Sequence, residues 1–129
     1  MTGPSEPVVP TILVADDEPD LVTLVRYRLA KAGFHVLTAV DGGQALTMVK
    51  ECMPQVVVLD VMMPVLTGIE VLDLLRADPR TAHIPVILIS AGFEIDLIDP
   101  DVLTSADDYI KKPFSPTALS DSITAILAR

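Results

Sequence analysis

Five short apolar runs recur along the sequence, separated by longer mixed segments. Most of these runs are rich in β-branched residues and do not alternate polar with apolar side chains. Strands that are covered on both faces have this pattern, as in parallel sheets. The pattern therefore predicts five strands, with the sequences TILVA (11–15), HVLTA (35–39), VVVL (56–59), PVILIS (85–90) and DYI (108–110).

The segments between these runs carry apolar residues at helical spacing. Their ends are marked by proline at a first helical position, by glycine after a last turn and by small polar caps. In the sequence TGIE, Thr67 and Glu70 form a capping box, where each side chain binds the other residue's backbone amide. We predict helices over 19–32 and 42–52, a third that opens with 67–70, and a last one capped by Ser115.

Strand and helix alternate along nearly the whole sequence. This alternation predicts an α/β protein: a three-layer sandwich with a five-stranded parallel sheet and helices on both faces. The crossovers should be right-handed. Because the strands are parallel, their C-terminal ends all lie at one edge of the sheet. Ligands of such sheets bind beyond that edge, near the point where the strand order reverses. We expect the functional residues there.

Composition and charge narrow the classes of function. The chain has 129 residues, of which 50% are apolar and 4% aromatic, and its net charge is −9. This length fits one domain with an aliphatic core, and this charge disfavours binding to nucleic acid or to anionic membranes. No apolar run reaches the length of a membrane span, and the lone cysteine, Cys52, allows no disulfide within the chain. We therefore expect a cytoplasmic protein.

The first ten residues differ from the rest. Pro4, Pro7 and Pro10 interrupt them, and no basic start precedes an apolar stretch, as it would in a signal peptide. We expect residues 1–10 to be a disordered lead-in and residues 11–129 to form the domain.

Charged and polar residues follow the predicted strands at their C-terminal ends. Asp16 and Asp17 follow the first strand, Asp60 follows the third, Ser90 ends the fourth, and a lysine pair follows the fifth. Three carboxylates so close together repel one another, which raises their pKa values or requires a cation. Mg²⁺ binds carboxylate oxygens, keeps several waters and accepts phosphate oxygens. The sequence therefore predicts a magnesium site at this edge.

Together these groups are the ones that phosphoryl transfer requires: a nucleophile, a metal ion, a cationic side chain and a positioned donor. Asp60, on the central strand, is the natural nucleophile, and its product would be an aspartyl phosphate. Each group alone has a plainer interpretation. Ser90 could bind its own backbone, and Glu18 is interpreted as a cap of the first helix and not as a ligand.

Four segments, in this order, resemble the receiver domain of two-component response regulators: VADDEP (14–19), VVVLDVMMPVLTG (56–68), VILISA (86–91) and ADDYIKKPF (106–114). The resemblance covers about residues 11–128. It implies a flavodoxin-like fold with strand order 2-1-3-4-5. It also implies a signalling switch in which Asp60 is phosphorylated by a sensor histidine kinase or a phosphotransfer protein. Such a domain is not an enzyme in the usual sense, although it promotes its own phosphorylation and its slow dephosphorylation.

The resemblance implies a set of metal ligands as well. They would be Asp16, Asp17, Asp60 and the backbone carbonyl of Met62, and the ion would be Mg²⁺ or Mn²⁺. The downstream partner is left open, and a homodimer that forms on phosphorylation is allowed.

The resemblance further implies which residues contact the phosphoryl group and respond to it. Ser90, Ala91 and Lys112 would bind the phosphoryl oxygens, and the bond between Lys112 and Pro113 would be cis. Ser90 and Tyr109 would form the switch pair, a hydroxyl and an aromatic ring that move together.

The segment between Ser90 and Tyr109 departs from the pattern of this family, which usually has a full fourth helix there. Pro100 falls where the middle of that helix would lie, and a proline there costs about 3 kcal/mol or more. Asp99 and Pro100 instead read as an N-cap and a first helical residue. We predict a fourth helix that is short, late-starting or kinked, preceded by a mobile loop over 92–99.

Three other functions fit less well. A flavin-binding domain needs a phosphate loop rich in serine, threonine or glycine after the first strand, where this chain has DDEPD. A phosphohydrolase of the D-x-D type needs an acid where Met62 stands. A receiver-like interaction module that works without phosphorylation should lack one of the acids or the lysine, and all are present. This last module is the alternative that an experiment has to exclude.

Overall fold

The computed structural model of the chain describes residues 9–92 and 97–129. The predicted lead-in over 1–10 lies outside the described residues except for its last two. Within the described part, no helix is long and apolar enough to cross a bilayer.

Five parallel strands form one sheet in the order β2-β1-β3-β4-β5. This confirms the predicted α/β fold and strand order. The chain reverses direction across the sheet between β1 and β3, so the switch point lies where these two strands end. The strands are β1 (Thr11–Ala15), β2 (His35–Ala39), β3 (Val56–Asp60), β4 (Val86–Ser90) and β5 (Asp108–Lys111).

The described helices begin and end where the sequence signals predict. The capping box between Thr67 and Glu70 is formed, and the Ser115 side chain accepts from Ala118 N. After the first helix, Gly33 has a φ of +99° and its N–H binds Ala30, so the chain turns without a steric cost. The helices are α1 (Pro19–Lys31), α2 (Gly42–Cys52), α3 (Gly68–Ala77), α4 (Pro100–Ser105) and α5 (Pro116–Leu127).

The sheet divides the core into two layers, because successive residues of a strand face opposite sides. In β3, Val57 and Leu59 pack with α2 and α3, whereas Val56 and Val58 pack with α1 and α5. All five residues of β3 are buried. This central strand therefore has no solvent-exposed face and leads directly to the functional edge.

Helix α4 has only 6 residues, which confirms the prediction of a short fourth helix. Pro100 is its first residue, and the Asp99 side chain caps it by accepting from Asp101 N at 2.9 Å. The predicted mobile loop over 92–99 includes residues 93–96, which lie outside the described residues.

Arg76, near the end of α3, ties α4 and β5 to the opposite edge of the sheet. Its guanidinium donates to the backbone carbonyls of Ser105 and Ile84 at 3.0 and 2.7 Å and to the Asp107 carboxylate at 3.1 Å. Asp107 also accepts from Val86 N at 2.8 Å. The end of α4 and the start of β5 are therefore held against β4, far from the strand ends that carry the candidate site.

Two strands extend further than their apolar runs predict. Asp60 is the last residue of β3 and pairs with Ile89, so it is not the first residue after the strand. Lys111 likewise ends β5 and pairs with Ser90. An apolar run shows which side chains are buried, but it does not show which residues form backbone hydrogen bonds with the next strand. A charged residue can form those bonds as well as an apolar one.

Val65, in the loop from β3 to α3, is a backbone outlier. Its φ is +71°, a left-handed conformation that is strained for a β-branched residue, and its side chain is 76% exposed. The loop lies against the start of α2, where Gly42 N donates to Pro64 O at 3.2 Å. A Cβ on Gly43 would come within 2.9 Å of the Val65 side chain. Close backbone packing on α2 therefore holds this loop in place.

Val65→Gly should raise the free energy of unfolding by about 0.5 to 1 kcal/mol, because relief of left-handed strain exceeds the added entropy of glycine in the unfolded chain. Urea unfolding followed by circular dichroism measures this difference. Val40→Gly is the matched control, since Val40 is also exposed but has no left-handed φ, and this variant should lose stability. A Val65→Gly chain less stable than the wild type would contradict the prediction, since the strain would then be smaller than the entropic cost of glycine.

Candidate functional site

The ends of β1 and β3 place two buried carboxylates side by side. Asp16 follows β1 and Asp60 ends β3, and the residues before them, Ala15 and Leu59, are paired in the ladder. Asp16 is 1% exposed and Asp60 is 4% exposed, whereas Asp17 is exposed. One carboxylate oxygen from each of the three lies within 4.8 Å of the others. The acidic cluster that the sequence predicts is therefore present.

Lys112 brings a positive charge to this cluster. Its Nζ atom lies 3.1 Å from Asp16 Oδ2, 3.1 Å from Asp60 Oδ2 and 3.0 Å from Glu18 Oε1. The Lys112 backbone N–H donates to Ser90 O, and the peptide bond to Pro113 is cis. Of the two adjacent lysines, Lys112 is thus the one that reaches the acidic cluster.

Glu18 does not act as the cap that its position suggests. It occupies the residue before α1, but its side chain makes no capping hydrogen bond and instead pairs with Lys112. The Glu18 N–H donates to Asp16 Oδ1 at 3.0 Å. Glu18 is thus the N-cap residue of α1, as predicted, but its side chain does not cap the helix. The lysine ammonium attracts its carboxylate more strongly than the partial charge of a helix end does. No local sequence signal could have revealed this pair, since Lys112 is far along the chain.

Burial and charge set the protonation of the two central groups. Burial raises the pKa of Asp60 to about 7, and the neighbouring Asp16 carboxylate adds to the rise, while Lys112 and the Met62 N–H oppose it. Burial alone would lower the pKa of Lys112, but its contacts with Glu18, Asp16 and Asp60 raise it above the ordinary value. Lys112 therefore stays charged, and one ammonium faces more carboxylates than it can neutralise.

The cluster has the donor set of a hard divalent cation. Among the described residues, Asp16 Oδ2 is the buried side-chain oxygen that makes no hydrogen bond, although it lies within ion-pair distance of Lys112. A buried, charged oxygen without a hydrogen bond is costly unless a cation compensates it. Asp16, Asp17 and Asp60 are also the one group in the described part of the chain with the spacing of metal ligands. These residues therefore fit Mg²⁺, which prefers oxygen ligands.

Met62 lies directly beside Asp60 but contributes its backbone. Its N–H donates to Asp60 Oδ1 at 3.2 Å, and its side chain is 57% exposed. Sequence reasoning missed this hydrogen bond, because an amide that donates to the side chain two residues earlier leaves no signal in residue type. The bond fixes one oxygen of Asp60 and leaves the other to Lys112.

Ser90 lies at the end of β4, one residue beyond the partner of Asp60. It is fully buried, and its Oγ accepts from Gly92 N at 3.3 Å. Tyr109 lies in β5 opposite Leu88 and is half exposed. Leu88 packs with α2 and α3 while Ile110 packs with α1 and α5, so Ser90 and Tyr109 share the α3 side of the sheet. Ala91, which follows Ser90, is exposed.

A groove opens beside the acidic cluster. It has a volume of about 360 Å³ and is lined by Glu18, Leu21, Lys112, Pro113 and Phe114. The groove leads from solvent to the Lys112 side chain, so a group on another molecule can approach the cluster.

Comparison of the sequence with known proteins places this chain in a family. The response regulator receiver domain family matches residues 12–124. The chain is 42% identical, over 119 residues, to the alkaline phosphatase synthesis transcriptional regulatory protein PhoP of Bacillus subtilis, covering 92% of this chain and 48% of that protein. It is 38% identical to the phosphate regulon transcriptional regulatory protein PhoB of Rhizobium meliloti, covering 95% of this chain and 54% of that one. The chain thus spans about half the length of these relatives.

Solved structures agree with this placement. The receiver domain of the Francisella response regulator 1452 is 33% identical with a TM-score of 0.82, covering 93% of this chain and 98% of that one. A response regulator receiver domain protein from Clostridium thermocellum is 28% identical with a TM-score of 0.85, covering 94% of this chain and 96% of that one. The family match over residues 12–124 and these relatives show that this chain belongs to the response regulator receiver domains.

Proposed function

We propose that this chain is the phosphoacceptor switch of a two-component system and that Asp60 receives the phosphoryl group. The observation that carries the proposal is the buried Asp60 carboxylate, which lies 3.1 Å from the ammonium of Lys112, a residue that lines the groove. The donor would be a phosphohistidine of a sensor histidine kinase or of a phosphotransfer protein.

The transfer is a single displacement at phosphorus. A carboxylate oxygen of Asp60 forms a bond to phosphorus while the phosphorus–nitrogen bond of the phosphohistidine breaks, and the electron pair of that bond stays with the imidazole nitrogen. Lys112 offsets the charge on the phosphoryl oxygens, and Ser90 donates a hydrogen bond to one of them. Ala91 follows Ser90 at the strand end, and we propose that it also contacts a phosphoryl oxygen.

A divalent cation would complete the site. We propose that Asp16, Asp17, Asp60 and the backbone carbonyl of Met62 hold Mg²⁺ or Mn²⁺. When bound, the ion supplies the positive charge that the carboxylates and the incoming phosphoryl group together require.

The switch itself would involve Ser90 and Tyr109. Once Asp60 is phosphorylated, Ser90 moves towards the phosphoryl oxygen and Tyr109 follows into the space it leaves, which changes the surface around α4 and β5. The phosphoryl group shifts this equilibrium only by as much as it stabilises one conformation over the other.

Relatives suggest what the signal controls. The Bacillus subtilis and Rhizobium meliloti relatives are transcriptional regulators by name, and each is about twice as long as this chain. We propose that a protein with this domain controls transcription through a further segment, because the strongly acidic receiver itself is unsuited to contact DNA. A homodimer that forms on phosphorylation would be one way to transmit the signal.

Incubation with acetyl phosphate and Mg²⁺ should add one phosphoryl group to the chain, measured by intact mass. Asp60→Asn should abolish the gain, because the amide cannot act as the nucleophile. Asp73→Asn is the matched control: Asp73 is an exposed aspartate on α3, and this variant should be phosphorylated like the wild type. A wild-type chain that gains no phosphoryl group would favour the interaction module that works without phosphorylation.

The affinity for Mg²⁺ should rise with pH and level off above about 7, since the ion needs the Asp60 carboxylate and burial raises the pKa of that group to about 7. One proton lost on binding makes the affinity about tenfold weaker at pH 6 than at pH 8. Isothermal titration calorimetry across this range measures it, and buffers of different ionisation enthalpy report the released proton. An affinity that does not change between pH 6 and pH 8 would place the pKa of Asp60 elsewhere.

A further inference from the structure

Lys111 lies beside the switch residues but outside the acidic cluster. It ends β5 and pairs in the ladder with Ser90, the buried hydroxyl of the candidate site. Because Ile110 packs with α1 and α5, Lys111 faces the other side of the sheet, the same side as Ser90 and Tyr109. In the described part of the chain Lys111 makes no ion pair, whereas Lys112 makes three.

The methylene chain of Lys111 covers Gly92. A Cβ built on Gly92 would collide with the Cε of Lys111 and would lie 3.1 and 3.2 Å from its Cδ and Cγ. The lysine therefore fills the space that a side chain at position 92 would take. Gly92 has a φ of +99°, so the turn that leaves β4 adopts a left-handed conformation under this methylene chain.

Gly92 in turn holds the hydroxyl of Ser90. Its N–H donates to Ser90 Oγ at 3.3 Å, which fixes the oxygen in the conformation seen here. If the Ser90 hydroxyl leaves this position, the Gly92 N–H loses its acceptor, and the turn beneath Lys111 loses one of its fixed contacts. The methylene chain packs against the turn in the conformation seen here, and this packing stabilises that conformation.

We propose that Lys111 is a positioning residue: its methylene chain clamps the Gly92 turn and thereby sets how readily Ser90 moves towards the phosphoryl group. The role rests on the proposed function of Ser90 and Asp60. The charge of Lys111 has no part in it. The clamp acts through packing of the methylene groups, and it lowers the free energy of the conformation seen here relative to the one that the phosphorylated domain adopts.

Lys111→Ala and Lys111→Met separate the methylene chain from the charge. Lys111→Ala removes the clamp, so acetyl phosphate should phosphorylate the chain about fivefold faster, the factor expected when one or two partly buried methylene groups are lost. Lys111→Met keeps a chain of similar length without the ammonium, and its phosphorylation rate should stay within about twofold of the wild type. Intact mass against time measures all three rates.

The backbone of Gly92 gives a readout that does not depend on phosphorylation. In ¹⁵N relaxation of the unphosphorylated protein, the order parameter of the Gly92 amide should fall from about 0.85 in the wild type towards about 0.6 in Lys111→Ala. It should keep the wild-type value in Lys111→Met. The proposal would be overturned if Lys111→Ala left either the order parameter of Gly92 or the phosphorylation rate unchanged. It would also be overturned if Lys111→Ala and Lys111→Met had equal effects. A wild-type chain that is not phosphorylated at all would instead overturn the proposed function, and the role of Lys111 with it.

Discussion

The ion pairs of Lys112 are the interaction on which the functional edge depends. Its ammonium lies 3.1 Å from each of two buried carboxylates, Asp16 and Asp60, and 3.0 Å from Glu18. Without a cation nearby, two carboxylates buried next to each other at the end of a sheet would be protonated or would destabilise the fold. One ammonium compensates them only in part: burial, together with the neighbouring Asp16 carboxylate, still raises the pKa of Asp60. The same shortage of positive charge makes the edge suited to a divalent cation.

The strands of the sheet determine where the charged side chains of this edge lie. The fully buried β3 places Asp60 at the point where the strand order reverses. Because side chains alternate between the two faces of a sheet, Asp16, Asp60 and Lys112 lie on the same side. The side chains of Ser90 and Lys111 alternate to the opposite side of the sheet, the side that α2 and α3 cover. Asp60 pairs with Ile89 and Ser90 pairs with Lys111, so the backbone of β4 connects the end of β3 with β5.

Much of the fold and the site could be predicted from the sequence. Apolar runs located the strands, and local caps such as Thr67 with Glu70 located helix ends, because both are determined by residues close together along the chain. The predictions that differ from the structure, the role of the Glu18 side chain and the end of β3, depend on residues that are far apart in the sequence. Glu18 was expected to cap a helix because its neighbours in sequence suggest it, but Lys112 attracts it across the fold. The end of β3 was placed one residue early, since its pairing with Ile89 is not encoded in local hydrophobicity.

The sequence by itself determined the order of strands and helices, the aliphatic core and the identity of the acids, the hydroxyl and the lysine at the strand ends. These follow from periodicity, turn chemistry and the rule that parallel strands end at one edge. Only the tertiary structure decided that Lys112 also pairs with Glu18, which oxygen of Asp16 lacks a hydrogen bond and which side chain covers Gly92. Such contacts depend on distances of a few ångströms between strands that are far apart in the chain, and electrostatic and packing energies change steeply over those distances.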